Sequence, residues 1–261
     1  MPELPEVETV RANLELECSG RVIRSVEVID NGILDGCTTK ELASFCRGRT
    51  IRGARRHGKQ MFIELDQGGF ITLHLGMTGD LIFYERKGDP DRHDRVLFNF
   101  TDGSRMAFRD MRKFGAIGYV TSIELFIRKK KLGPDALEIG GQEFAFRIGK
   151  HDSAIKTVLL DQKVVAGIGN LYADEVLYQS RIHPMRSAME LSAKEVETIF
   201  KNTRKVLLAS IRVSSNFERL PKGFMLSVRG PGASCPRGNG KMASLKVNGR
   251  TTFYCPSCQT I

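Results

Sequence analysis

Hydrophobic spacing changes period once along this chain, and that change limits the fold more than any single residue does. Ahead of the basic, Gly/Pro-ended run Arg128-Lys129-Lys130-Lys131-Leu132-Gly133-Pro134, apolar residues fall in strand-like runs; beyond it they recur at helical spacing. Val22, Val26 and Val28 mark a strand between Gly20 and Asp30. The stretches 61–65 and 70–75 flank the turn Asp66-Gln67-Gly68-Gly69, and 96–100 and 105–108 flank Thr101-Asp102-Gly103-Ser104. Such hairpins predict an antiparallel sandwich, with helices at the start and over 39–47 at its edge. Helical patterns follow over 153–160, 171–177 and 192–212, the last with Val196, Ile199, Val206 and Leu207 on one face. Strand character returns from Phe224, where Asn248-Gly249 signals a hairpin turn. The expected class is α+β: an N-terminal helix plus antiparallel β-sandwich domain over 1–127, a linker over 128–141, a helical domain over 142–222 and a β-hairpin finger over 223–261.

Charge adds a direction to this division. Residues 1–150 hold 24 Lys and Arg against 22 Asp and Glu, whereas residues 151–261 hold 16 against 8. Nearly all of the net charge of +10 therefore sits in the second half, which favours a polyanionic partner. No run approaches the ~20 apolar residues that span a bilayer, and the acidic start is unlike a signal peptide. A cytoplasmic chain, associated with the nucleoid if its polyanion is DNA, is expected.

The first eleven residues, Met1-Pro2-Glu3-Leu4-Pro5-Glu6-Val7-Glu8-Thr9-Val10-Arg11, carry the chemistry. Removal of Met1 leaves Pro2 with a secondary amine, and an α-amino group titrates near ~8, low enough to be nucleophilic at working pH. Attack of that amine on a sugar carbon gives a charged iminium, a strong electron sink. Glu3 and Glu6 stand beside it at a helix start made by Pro5, Val7, Val10 and Leu14. An ordinary capped helix would use the same residue types.

MPELPEVETVR resembles the start of the formamidopyrimidine-DNA glycosylase family of base-excision repair enzymes, in which the N-terminal proline is the nucleophile. The resemblance runs the length of the chain. It implies that Pro2 attacks the sugar, that Glu3 moves protons, that Glu6 orients the pocket, and that Lys59 of Arg55-Arg56-His57-Gly58-Lys59 contacts the lesion phosphate and donates a proton during elimination. His74-Leu75-Gly76-Met77-Thr78-Gly79 and Asp110-Met111-Arg112-Lys113-Phe114-Gly115 match the family's two void-filling loops, which assigns Met77, Arg112 and Phe114 to the gap left by an extruded nucleotide. His93 and Lys156 match DNA-contacting positions. LLDQKVVAGIGNLYADEVL matches the family's helix–two-turn–helix, with a glycine turn and Asn170 aimed at phosphate as donor and cap. His151-Asp152 stands where many members carry lysines. Arg250 matches the arginine of the family's finger tip, which assists the second elimination.

Two further departures qualify the match. The family closes its finger with two CxxC knuckles around zinc, but the first knuckle here is Cys235-Pro236-Arg237-Gly238-Asn239. Cys235, Cys255 and Cys258 remain as metal ligands where a structural zinc wants four, so either three thiolates bind the ion more weakly or the ribbon stands on hairpin packing alone. Cys18, Cys37 and Cys46 read as small core residues. Second, only ERLPKGFMLSVR separates Phe217 from Gly230, shorter than in members that fold a loop over an oxidised purine. The expectation is a monomeric bifunctional glycosylase and AP lyase acting on duplex DNA with an oxidised base or abasic site, with zinc and no organic cofactor. An endonuclease VIII-like preference for oxidised pyrimidines is the alternative, and a non-catalytic reader of damaged DNA, which would not need Pro2 or Glu3, is a remoter one.

Overall fold

The computed structural model describes every residue except Lys87, Asp89 and Asn239. The chain forms two compact units: residues 1–2 and 6–131 make one, residues 3–5 and 132–261 the other. The first helix, α1 (Leu4–Cys18), therefore opens in the second unit and continues in the first. Its spacing explains why: Leu4 joins the core of the second unit, while Val7, Leu14 and Cys18 join that of the first.

In the first unit the elements in order are β1 (Ile23–Val28), α2 (Thr39–Cys46), β2 (Ile51–His57), β3 (Gln60–Leu65), β4 (Phe70–His74), β5 (Gly79–Tyr84), β6 (Asp94–Phe100), β7 (Arg105–Asp110), β8 (Ala116–Val120) and α3 (Ile123–Lys130). The strands make two four-stranded antiparallel sheets, β1-β6-β7-β5 and β2-β3-β4-β8, whose apolar faces share one core. The expected sandwich is thus present. Both read turns are hairpins: β3 pairs with β4 from Gln60↔His74 to Glu64↔Phe70, and β6 pairs with β7. α2 begins one residue after its N-cap Thr38, which forms a capping box with Glu41. Cys18 and Cys46 are buried, and desolvation pushes each thiol up to about 12, as befits packing rather than redox chemistry.

The second unit contains α4 (Gly141–Ile148), α5 (Ile155–Leu160), α6 (Asn170–Ser180), α7 (Ala193–Arg212), β9 (Ala243–Val247) and β10 (Arg250–Tyr254). α7 carries a Ser192/Glu195 capping box. β9 and β10 pair alone, and a small separate core of Tyr178, Met225, Cys235, Met242 and Cys255 supports them. Such support is needed, because a two-stranded hairpin is marginal by itself. The stretch 128–141 differs from a loose linker. Its first residues end α3, the units divide after Lys131, and Ala136 and Ile139 are buried in the second core. In sequence the basic run reads as a linker because three lysines at a helix C-terminus look the same there.

Candidate active site

One group of expected residues gathers on the first unit. β2 and β3 are joined at Gly58-Lys59, and Gln60, next to Lys59, pairs with His74. Lys59 therefore stands at the same sheet end as the loop that follows β4. The turn is held from α1: Arg56 donates to Glu8 at 3.1 Å and, through Nη1, to the Gly58 carbonyl at 3.0 Å. Pro2 belongs to this unit and Glu6 lies half-buried in the first turn of the same helix.

The two loops read as void fillers are knotted together by one carboxylate. Asp110 Oδ1 accepts the Thr78 hydroxyl at 2.5 Å and the Arg112 N–H at 3.2 Å, while Oδ2 accepts the Gly115 N–H at 2.7 Å. Gly76 lies so close to the other loop that a Cβ there would stand 2.3 Å from the Phe114 carbonyl carbon. Lys113 takes a left-handed φ of 57°, which a non-glycine residue holds only where its surroundings fix it, and its ammonium pairs with Asp30 at 2.7 Å. The result is that Met77 and Phe114, 37% and 57% exposed, point outward, with the Arg112 guanidinium 5.1 Å from the Phe114 ring. Both would be core residues on composition alone; exposed apolar groups on two rigid loops suit insertion. His93 accompanies them, its backbone carbonyl accepting from Asp110 N–H at 2.9 Å, but its ring nitrogens face Arg92 at 3.0 Å and Arg95 at 3.3 Å.

His74 was not singled out in the sequence, although it opens the HLGM loop. Its Nδ1 accepts the Gly76 N–H at 3.1 Å, and burial together with Lys59 and Lys130 pulls its imidazole below the usual range. A neutral ring accepting at Nδ1 carries its proton on Nε2, so His74 offers a donor beside Lys59. The signal available was only its place in the loop.

A second group gathers on the second unit around the start of α6. Glu3 is 1% exposed, and its carboxylate accepts the N–H groups of Leu171 at 2.9 Å and Tyr172 at 3.4 Å. It performs the capping that had been assigned to Asn170, and the helix N-cap is Gly169. The glycine turn makes room for it. A Cβ on Gly169 would lie 2.2 Å from the Glu3 carboxyl carbon, and Gly167, at φ 116°, lies against Leu4. Those two helix N–H groups are thus taken by Glu3, which corrects the reading of the turn as a phosphate cradle. Asn170 instead donates to the Thr251 carbonyl of β10 at 3.1 Å.

Lys156 is also corrected. It had been read as a DNA contact, yet it is fully buried, with Nζ 2.6 Å from Asp174 Oδ1 and donating to Thr252 Oγ1 at 2.6 Å. Desolvation pulls its ammonium below the usual lysine range even though Asp174 faces it. Arg250 opens β10 and is exposed, as a tip residue should be.

Behind the hairpin, the sulfurs of Cys235, Cys255 and Cys258 lie within 4.8 Å of one another, Cys235 and Cys258 at 3.7 Å. Three buried or half-buried thiols this close fit three corners of a tetrahedral metal site; no fourth Cys or His joins them among the described residues. Asn239, in the incomplete knuckle, lies outside those residues. The Tyr178 hydroxyl stands 3.3 Å from Cys235 Sγ.

Comparison with known proteins agrees with this layout. Residues 1–117 match the profile of the formamidopyrimidine-DNA glycosylase N-terminal domain, and residues 132–220 that of the formamidopyrimidine-DNA glycosylase H2TH domain. The formamidopyrimidine-DNA glycosylase of Pelotomaculum thermopropionicum is 35% identical, with all of both chains covered. That of Arabidopsis thaliana is 33% identical over 100% of this chain and 71% of its own. Among solved structures, the Lactococcus lactis enzyme in complex with abasic-site DNA superposes with a TM-score of 0.91 at 29% identity, covering both chains fully. A mutant form of the same enzyme with Fapy-dG-containing DNA gives 0.91 at 30%, again with full coverage of both chains. With motifs, two domain profiles and full-length relatives in agreement, the chain belongs to the formamidopyrimidine-DNA glycosylase family.

Proposed function

We propose that this chain is a base-excision DNA glycosylase with AP lyase activity, acting on duplex DNA that carries an oxidised base or an abasic site. The observation that carries the reading is the start of the chain: a proline that gains a free secondary amine once Met1 is removed, followed at once by a carboxylate pinned on the N–H groups of a helix start. Pro2 attacks C1′ of the extruded nucleotide, the glycosidic bond breaks and the base leaves with a proton. Glu3 passes a proton to the sugar ring oxygen as the ring opens to the iminium. Loss of a C2′ proton then expels the 3′ phosphate, and a second elimination expels the other, with Lys59 and Arg250 assisting in turn. Met77, Arg112 and Phe114 occupy the vacated stack, and His93 and Asn170 contact the strand. Cys235, Cys255 and Cys258 would hold a zinc ion, whose part would be to close the finger rather than to enter the reaction. Borohydride added during reaction with an abasic duplex should trap a protein–DNA adduct through Pro2. A Pro2→Gly chain trapped just as fully, and attached through a lysine, overturns the assignment.

Lesion preference follows from the stretch 217–230. Leu220, Phe224, Met225 and Leu226 are all buried, and Leu226 N–H is fixed on Glu175 at 2.8 Å, so these four apolar residues of the short segment serve packing and Val228 alone of its aliphatic residues is exposed. Contacts over an extruded 8-oxoguanine are correspondingly few, and a missing buried partner costs ~1–3 kcal/mol, roughly tenfold to a hundredfold in selectivity. Formamidopyrimidine and hydantoin lesions should therefore be excised faster than 8-oxoguanine in single-turnover assays on matched duplexes. A fastest rate on 8-oxoguanine opposite cytosine refutes this, and fastest rates on oxidised pyrimidines favour the endonuclease VIII-like reading.

A further inference from the structure

The buried lysine has no part in the chemistry above, and its surroundings show what it does. Three consecutive residues after Arg250 are each tied to α5 or α6. Thr251 gives its carbonyl to Asn170 Nδ2 at 3.1 Å. Thr252 accepts from Lys156 Nζ at 2.6 Å and donates its own hydroxyl proton to the Arg250 carbonyl at 3.2 Å. Phe253 gives its N–H to Asp174 Oδ2 at 3.0 Å. Asp174 joins these ties, because it also pairs with Lys156 at 2.6 Å and with Arg229 at 2.7 Å.

A buried ion pair is a poor way to gain stability, since desolvation offsets most of the attraction and an apolar pair of equal volume serves as well. It is a good way to fix register, since a charge out of place in the interior is costly. Lys156 and Asp174 have no solvent exposure, and Thr252 has none either. The Thr252 hydroxyl, which accepts from the lysine and donates onward, stands two residues from the exposed arginine, and its onward bond is to that residue's own backbone.

We propose that Lys156, Asp174 and Thr252 are positioning residues for Arg250: the ion pair sets Thr252, and Thr252 sets the backbone from which Arg250 reaches DNA phosphate. The proposal rests on the reading of Arg250 as a phosphate contact. Without the relay the hairpin still pairs, but its tip samples more directions, and the arginine loses its contact for part of the time.

The test is binding to a duplex carrying a tetrahydrofuran abasic analogue, measured against salt concentration for the full-length chain. Arg250→Ala should flatten the slope of log K against log salt by about 0.9, the contribution of one neutralised phosphate. Thr252→Val should flatten it in the same sense and weaken binding at low salt by about tenfold, the scale of one charge-assisted contact. Thr252→Ser, which keeps the hydroxyl, should behave as the parent, and Thr252→Val/Arg250→Ala should be no worse than Arg250→Ala alone. Thermal melts establish that each variant is folded; if the valine is not tolerated, Thr252→Ala makes the same cut with less bulk. A slope altered by Arg250→Ala but not by loss of the hydroxyl overturns the positioning role alone, as do losses that add in the double variant. A slope unmoved by Arg250→Ala overturns the reading of Arg250 and the proposal with it.

Discussion

Lys59 and Arg250 are each braced by an ion pair standing behind them, and the two braces are built in opposite ways. On the first unit Glu8 and Arg56 are 22% and 7% exposed, and Glu8 is shared with Arg11, which pairs in turn with Glu15. On the second unit Lys156 and Asp174 are both at 0%. Water can take the place of Glu8, the more exposed partner, at small cost, so that brace tunes the turn at Gly58 without determining whether the unit folds. Water cannot reach a partner in the second, so it acts as a lock. Placement of Lys59 also has the pairing of β2 with β3 behind it, with register running from Ile51↔Leu65 to His57↔Gln60. Arg250 sits on a lone two-stranded hairpin, and a lock is what such an element needs.

The comparison is broken most directly at Lys156. Lys156→Met leaves Asp174 buried with Arg229 as its remaining ion-pair partner. Loss of one partner of a buried pair costs about 3–5 kcal/mol, and Arg229 holds the expected loss near the lower end. The denaturant midpoint should fall at unchanged slope. A loss below about 1 kcal/mol would place this pair with the surface ones and end the distinction.

A second acid sharpens it. Glu175 follows Asp174 and is equally buried, but among the described residues no cation lies within ion-pairing distance. It accepts from Gln179 Nε2 at 2.6 Å and Leu226 N–H at 2.8 Å, and burial pushes its carboxyl up to about 7. The sign follows from linkage. Between the ordinary carboxylate range and about 7 the unfolded chain has already released this proton while the folded chain still holds it, so stability falls as pH rises through that window. The slope is up to about 1.4 kcal/mol per pH unit, and above the window the loss is complete. Glu175→Gln should therefore melt higher than the parent at pH 8 and converge with it near pH 5. Equal pH profiles for the two chains would show that Glu175 is held charged in the folded chain.

How much of this was legible in the sequence depended on distance along the chain. The sandwich was, because alternation and turn residues act within a few positions and each hairpin states its own register. The two loops read as void fillers are picked out by motif resemblance, whereas composition would bury Met77 and Phe114; their exposure comes from Asp110, whose carboxylate joins Thr78 to Gly115. The cap on α6 was misassigned to Asn170 because the nearest polar residue is the natural choice. The true cap, Glu3, bonds Leu171 from 168 positions away, and no local pattern announces it. Lys156 failed for the same reason: a lysine reads as a surface cation until Asp174 and Thr252 are known to enclose it.

The smallest effect is expected at Glu8, and it tests the other arm of the comparison. Glu8→Gln keeps the shape and an acceptor oxygen but removes the charge that faces Arg56 and Arg11, which also helps hold the Arg11 guanidinium above its usual range. Partly exposed pairs contribute ~0.2–1 kcal/mol, and Glu15 remains to hold Arg11 at 2.6 Å, so stability should fall by no more than about 1 kcal/mol. Salt distinguishes this brace from the buried one. With a Debye length of about 3 Å at 1 M, the difference between parent and variant should shrink towards zero in concentrated salt, whereas the loss caused by Lys156→Met should persist. Cleavage of an abasic duplex should slow less than about threefold, under 0.7 kcal/mol of barrier, because strand pairing still places Lys59 when the Arg56 bond to Gly58 loosens. A larger, salt-insensitive loss in Glu8→Gln would mean that the turn depends on this ion pair, and that both braces are locks.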